Sequence, residues 1–418
     1  MSTLDISITR RTVLAAGSLT ALTAGLAGCG TETGSGSDAG WSIPEIFDTT
    51  APSDEDEPQA EQPEPSLAEQ TLASMTREQK VAQLFCVTPE QLTGVAVATA
   101  AGDMTAEALE RIPVGGLVYF GQNITGNQQL RDMLAHTHEM SCAAGAGVPA
   151  FLAVDEEGGP LVARVANSGH FDVPTFPNMG EIGATGDSSQ AAEVGDAIGT
   201  YLSDIGFNLD FAPDADVLTN PENPVIGPRS FGSDSTLVAQ MVAAEVEAMH
   251  ATGVIPCVKH FPGHGDTAGD SHTGAVYTER TREEIESCEF EPFRAAIEAG
   301  VPMVMVGHIE TPNFATDGLP ASLSPVMIGD ALRGELGFEG VIISDSFAMG
   351  AITENYTPDE AAVQFFQAGG DMLLMTSDLQ AAYDGVLEAI EDGALTDERI
   401  DESVLRILTA KENAGILK

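Results

Sequence analysis

Eight short apolar runs punctuate the chain, at 84–87, 116–120, 150–154, 207–211, 254–258, 303–306, 341–343 and 372–375. Runs of this length and hydrophobicity are what strands buried on both faces require. Between them lie amphipathic stretches at 127–144, 191–205, 235–252, 282–299, 359–368, 379–391 and 397–414. An opening helix is predicted over 67–83, with Leu67, Leu72, Met75 and Val81 on its apolar face. Gly253, Gly300, Gly337 and Gly369 stand where helices need a left-handed terminal residue. Eight strand–helix units predict an α/β fold, a (β/α)8 TIM-type barrel forming a single catalytic domain over 67–418. The alternative is an open doubly wound sheet. No GxGxxG turn follows the first strand, which argues against a dinucleotide-binding version. No internal repeat and no second domain after the barrel is expected.

The N-terminal region is read differently. Arg10-Arg11 precedes an apolar Ala/Gly/Leu segment that is short for a membrane span and suits a signal h-region. Paired arginines suggest twin-arginine export. Leu26-Ala27-Gly28-Cys29 resembles a lipobox, which implies a signal peptide over 1–28 and lipidation of Cys29. An ordinary signal peptide with a chance cysteine is the plainer alternative. Residues 29–66 are rich in Gly, Ser, Pro and acids, including Asp54-Glu55-Asp56-Glu57. That composition cannot offset its ordering entropy and is predicted to be a disordered acidic tether. The expected location is the outer face of the cytoplasmic membrane.

Charge excludes one large class of function. The 418 residues carry 64 acids against 17 bases, a formal net charge of −47. Nucleic-acid binding needs clustered cations and is not expected. The acidity reads as a solvating surface for a salty exterior, or as plain solubility. Of the five cysteines, Cys86, Cys142, Cys257 and Cys288 show no disulfide spacing and read as free thiols.

The chemistry concentrates at strand exits, where α/β barrels build their sites. Asp155-Glu156-Glu157-Gly158-Gly159 follows the third run, and Asp214 and Asp216 follow the fourth. Lys259 and His260 follow the fifth, His308 the sixth, Ser344-Asp345-Ser346 the seventh, and Thr376 and Asp378 the eighth. Six exits with acids, Lys or His mark an active site better than they mark solubility. The stretch Lys259-His260-Phe261-Pro262-Gly263-His264-Gly265-Asp266-Thr267 cannot be a helix, because of Pro262 and its glycines, and is predicted to be a loop. A metal site from His260, His264, Asp266, Asp270 and His272 is the competing reading. Two-histidine zinc motifs place both imidazoles on one helix face, which this stretch forbids. No metal and no cofactor is expected.

Lys259-His260-Phe261-Pro262-Gly263-His264-Gly265 with Asp270-Ser271-His272 resembles the signature of glycoside hydrolase family 3, in its single-domain β-N-acetylglucosaminidase branch. Asp155 to Gly159, Asn208 to Pro213, Arg229-Ser230-Phe231-Gly232, Pro320 to Ser324 and Ser344-Asp345 match it in order, so the resemblance covers about 67–418. It implies a retaining β-N-acetylhexosaminidase with Asp345 as nucleophile. It also implies that His272, oriented by Asp270, takes the acid/base role most glycosidases give to a second carboxyl group. An imidazole near its ordinary pKa of ~6.5 can give and retake a proton there. By the same pattern Asp155 accepts from sugar hydroxyls, while Arg164, Arg229, Lys259 and His260 donate. The family has an Arg directly after Glu-Gly-Gly and another three further on. Here Pro160 stands in the first place and Arg164 falls one place late, as an extra residue in the loop would produce. His308 and Asp214 either shape the pocket or satisfy rim hydrogen bonds.

The sequence therefore reads as an exported, lipid-anchored, monomeric enzyme that releases β-linked N-acetylglucosamine from cell-wall or chitin-type glycans. A β-glucosidase, a β-xylosidase or a glycoside phosphorylase of the same family is the alternative. A sugar-binding lipoprotein is the non-enzymatic one.

Overall fold

The computed structural model describes residues 64–269 and 274–418. The predicted signal peptide, Cys29 and all but the last three residues of the predicted tether lie outside the described residues, as do Asp270 and His272.

Each predicted apolar run contains a strand. They are β1 (Phe85–Val87), β2 (Gly116–Tyr119), β3 (Phe151–Val154), β4 (Leu209–Asp210), β5 (Ile255–Phe261), β6 (Met303–Val306), β7 (Val341–Ser344) and β8 (Leu373–Leu374). Parallel neighbours run in the order β7-β6-β5-β4-β3-β2-β1-β8. A bridge from Ile343 to Met372 joins β7 to β8 and closes the barrel, which removes the open-sheet alternative. β3, β6 and β7 are buried at every position, as strands walled by helices on one side and a filled barrel on the other must be.

The helices follow the predicted amphipathic stretches, with informative departures. The opening helix is two, Leu67–Ser74 and Arg77–Gln83, because Thr76 and Gln79 form a reciprocal capping box that restarts the chain. The 282–299 stretch is interrupted by a π turn at Ile285–Glu289. Asp103–Arg111 and the π helix Val326–Glu335 carry no expectation from the sequence. The four helix-stopping glycines have positive φ, from 67° to 108°.

Two packing details hold the barrel. Phe261, the last residue of β5, stacks on Phe290 at 5.1 Å between centroids and meets Phe293 edge-on at 5.3 Å. Full burial of such a ring is worth about 1.5–3 kcal/mol, so the C-terminal end of β5 is held firmly against the helix Phe290–Glu298. The buried Lys411 donates to Gln83 Oε1 at 2.8 Å and lies over the Phe151 ring. The four described cysteines are unpaired; Cys86 and Cys257 are buried on strands, whereas Cys142 is exposed.

Candidate active site

The first half of the signature motif is strand rather than loop. β5 runs through Lys259-His260-Phe261. Adjacent residues of a regular strand face opposite sides, yet Lys259 and His260 line the same cavity. The peptide between them is cis, and the strand register is broken at the same place. Val258 sits opposite Val304 and Phe261 opposite Val306, so three residues span two and the extra one bulges. Bulges re-aim side chains in this way.

That cavity, about 650 Å³, opens at the strand exits and lies in the range of small-molecule sites. Asp155, Arg164, Arg229, Lys259, His260 and Asp345 all line it. Glu157, to which the sequence assigned no role, is the pivot between the cations. Its Oε1 accepts from Lys259 Nζ at 2.7 Å and from Arg229 Nη2 at 2.6 Å, and its Oε2 from Arg229 Nε at 2.7 Å. Burial would raise its carboxyl, but Arg229 and Lys259 outweigh burial and hold it far below the usual carboxylate range. Lys259 also donates to Asp155 Oδ1 at 2.8 Å. Arg229 is largely spent on Glu157 and on the Val225 carbonyl, so it braces the wall more than it offers free donors. Arg164 differs: its Nε is buried with no hydrogen-bond partner among the described residues, and its guanidinium lies over Phe120.

His260 is set by Asp216. The Asp216 carboxylate accepts from His260 Nδ1 at 2.7 Å and from the His264 peptide N–H at 2.6 Å. Burial disfavours the imidazolium of His260, but Asp216 more than compensates and raises its pKa. The turn after β5 depends on two glycines. A Cβ on Gly265 would fall 1.9 Å from the Val217 carbonyl oxygen, and Gly263 has φ +130° with Glu289 Cγ 2.6 Å from a would-be Cβ. Asp266 accepts from Thr278, joining the two sides of the stretch that carries residues 270–273.

Asp345 leaves β7 half-buried, its carboxylate held by the Ser346 N–H at 2.7 Å. Burial raises its pKa; the imidazoles of His260 and His308 and that N–H together reverse the effect and keep it ionised. His308 bridges Ser322 Oγ at 2.8 Å and the Ser346 carbonyl at 2.9 Å, so it fixes the turn that carries Asp345. Asp378, counted among the strand-exit acids, is instead the N-cap of Leu379–Glu391. Asp214 is buried beside Asp216, and burial and that neighbour push its carboxyl up to about 8.

Metal capacity is limited. Asp214, Asp216 and His260 bring ligand atoms within 4.8 Å of one another, whereas His260, His264 and Asp266 make no such group among the described residues. Asp216 and His260 Nδ1 are already bonded to each other, and Arg229 stands 3.5 Å from Asp214 Oδ2, where it would repel a cation. With Asp216 and His260 committed to each other, the donor set fits an internal ion pair better than a metal ion.

Residues 76–410 match the family described as glycosyl hydrolase family 3 N terminal domain. Beta-hexosaminidase A of Pseudoalteromonas piscicida is 33% identical over 333 residues, covering 73% of this chain and 54% of that protein. The structure of a glycoside hydrolase family 3 beta-N-acetylglucosaminidase from Paenibacillus sp. str. FPU-7 superposes with a TM-score of 0.76 at 37% identity, over 82% of this chain and 63% of that one. A beta-glucoside phosphorylase, BglX, bound to 2FGlc, superposes with a TM-score of 0.73 at 27% identity, over 84% of this chain and 61% of that one. The chain thus spans little more than half the length of these relatives.

Proposed function

This chain belongs to glycosyl hydrolase family 3, and from that premise we propose that it is a retaining β-N-acetylglucosaminidase acting on cell-wall or chitin-type glycans. The observation that carries the reading is the setting of Asp345. It is an ionised carboxylate at a strand end, lining a cavity that also bears Asp155, Lys259 and His260. Such a carboxylate can attack the anomeric carbon as the glycosidic C–O bond breaks, and the leaving oxygen takes a proton. Water then cleaves the ester, returning a proton to the general base and freeing Asp345. In this proposal His272, oriented by Asp270, gives and retakes that proton; both lie outside the described residues. Asp155 and Lys259 contact sugar hydroxyls, with His260 and Arg164 as further donors. Export and a lipid anchor at Cys29 belong to the same proposal, as does a monomeric state.

Likeness to a β-glucoside phosphorylase favours one second reading, cleavage of glucosides with phosphate in place of water. One experiment separates them. Aryl β-N-acetylglucosaminide, β-glucoside and β-xyloside are compared with and without inorganic phosphate. The proposal expects the N-acetyl substrate to lead in kcat/KM by at least tenfold, with free sugar as product. A preferred glucoside, or a sugar 1-phosphate as main product, overturns it.

A further inference from the structure

Resting on that hexosaminidase reading, we infer that His264 and the Pro224–Val225 turn form the recognition site for the acetamido group, with the imidazole N–H donating to its carbonyl oxygen. His264 lines the cavity that holds Asp345 and is itself 2% exposed. Its Nε2 is buried and has no hydrogen-bond partner among the described residues, although buried polar atoms nearly always have one. On this wall Glu157, Lys259 and His260 Nδ1 are all paired within the protein. An unpaired nitrogen on a ring that lines a substrate cavity is a place kept for a ligand.

The surrounding bonds favour one form of the ring. Thr267 Oγ1 lies 2.7 Å from His264 Nδ1 and 3.0 Å from the His264 carbonyl oxygen. That carbonyl already accepts from Asn223 Nδ2 at 2.8 Å and from the Thr267 N–H at 3.2 Å. In the proposed site the hydroxyl proton turns from that carbonyl, already twice occupied, to Nδ1, which places the ring proton on Nε2. Burial lowers the pKa of this imidazole and keeps it neutral. The cavity is thus offered an uncharged donor with no accepting capacity, which suits a carbonyl oxygen better than a hydroxyl.

The neighbours supply the apolar half. Asn223 is buried and ties the two parts together. Its Nδ2 holds the carbonyls of His264 and Thr267, while its Oδ1 accepts from the N–H groups of Val225 and Ile226. Pro224 and Val225 so held line the same cavity as His264. A neutral donor tied to an apolar wall matches an acetamide, which presents one carbonyl oxygen and one methyl group. A site that donates to a substrate group rejects the analogue lacking it, because its donor is then left unpaired.

His264→Leu removes the donor; His264→Gln restores an N–H of similar reach. For each variant, kcat/KM is measured on aryl β-N-acetylglucosaminide and on aryl β-glucoside, with thermal melts to confirm folding. The ratio of the two is expected to fall by about ten- to a hundredfold in His264→Leu, the value of one to two such interactions, and to recover in part in His264→Gln. Competitive inhibition by N-acetylglucosamine is expected to weaken more than inhibition by glucose. A ratio that stays within threefold of wild type, or equal losses on both substrates and both sugars, overturns the assignment alone. Wild-type enzyme that prefers the glucoside overturns the hexosaminidase reading as well. If His264→Leu does not fold, the ratio in His264→Gln and in Val225→Asp, which charges the methyl wall, decides: a normal ratio in both overturns the assignment.

Discussion

Glu157→Gln removes one charge from the buried junction of β3 and β5 without changing its shape. In the wild type this carboxylate holds Arg229 through two contacts and Lys259 through one, all between 2.6 and 2.7 Å. Glutamine keeps one acceptor oxygen, but its NH2 must face one of the two cations. Removing one partner of a buried ion pair costs about 3–5 kcal/mol because the other charge stays buried; the retained oxygen puts the expected loss at about 3 kcal/mol. Lys259 still has Asp155, so it remains in the cavity, displaced rather than lost. A charged hydrogen bond is worth about 1.5–3 kcal/mol, and one such bond misaimed at the sugar lowers kcat/KM by about ten- to a hundredfold. Urea denaturation gives the first number and aryl glycoside kinetics the second. The double variant Glu157→Gln with Arg229→Met removes both partners, and its stability loss is expected to fall short of the summed single losses by at least about 1 kcal/mol. Additive losses, or a Glu157→Gln enzyme within threefold of wild-type kcat/KM, would refute the pivot role.

Other outcomes follow from the same picture. Burial lowers the Lys411 pKa from 10.5 to about 7, so between those values the unfolded chain binds the extra proton and wild-type stability rises with pH. Lys411→Met is expected to be more stable at pH 7: the penalty it removes is on the order of 4 kcal/mol, against about 1–3 kcal/mol for stranding Gln83 Oε1. The advantage should fade by about pH 10, and a variant no more stable than wild type at pH 7 in thermal melts contradicts this. His272→Ala is expected to harm poor leaving groups most and to be partly rescued by azide, with Asp270→Asn a milder copy; loss of wild-type activity to chelators with recovery on added zinc would sink that pair. Cys29→Ala is expected to release the protein from membranes in fractionation with its activity intact, and unchanged membrane retention rules out the anchor.

The fold was legible because all eight strands are buried at every position, so short apolar runs such as Met303–Val306 stand out without periodicity. Elements whose stability comes from context were not. Val326–Glu335 begins after Pro325 and contains Gly329 and Gly334, which lower local helix preference. The strand-exit rule brought Asp155, Lys259, His260 and Asp345 to one cavity. It could not supply the pairings. Glu157 meets Arg229 across 72 residues, and Asp216 meets His260 across 44. Both contacts exist only once β3, β4 and β5 lie side by side. The β5 bulge was hidden for the same reason, since register belongs to the strand pair rather than to either sequence.

A retaining mechanism requires that Asp345 become covalently linked to the sugar. An N-acetylglucosaminyl fluoride bearing a second fluorine at C5 tests it most directly. The ring fluorine slows both steps by opposing positive charge in the transition state, and the fluoride leaving group restores the first, so the intermediate accumulates. Mass spectrometry of the digested enzyme is expected to find one glycosyl adduct, on the peptide containing Asp345, and none in Asp345→Asn. An adduct on a different carboxylate, or active enzyme that accumulates no adduct and releases product with inverted anomeric configuration, would contradict the account.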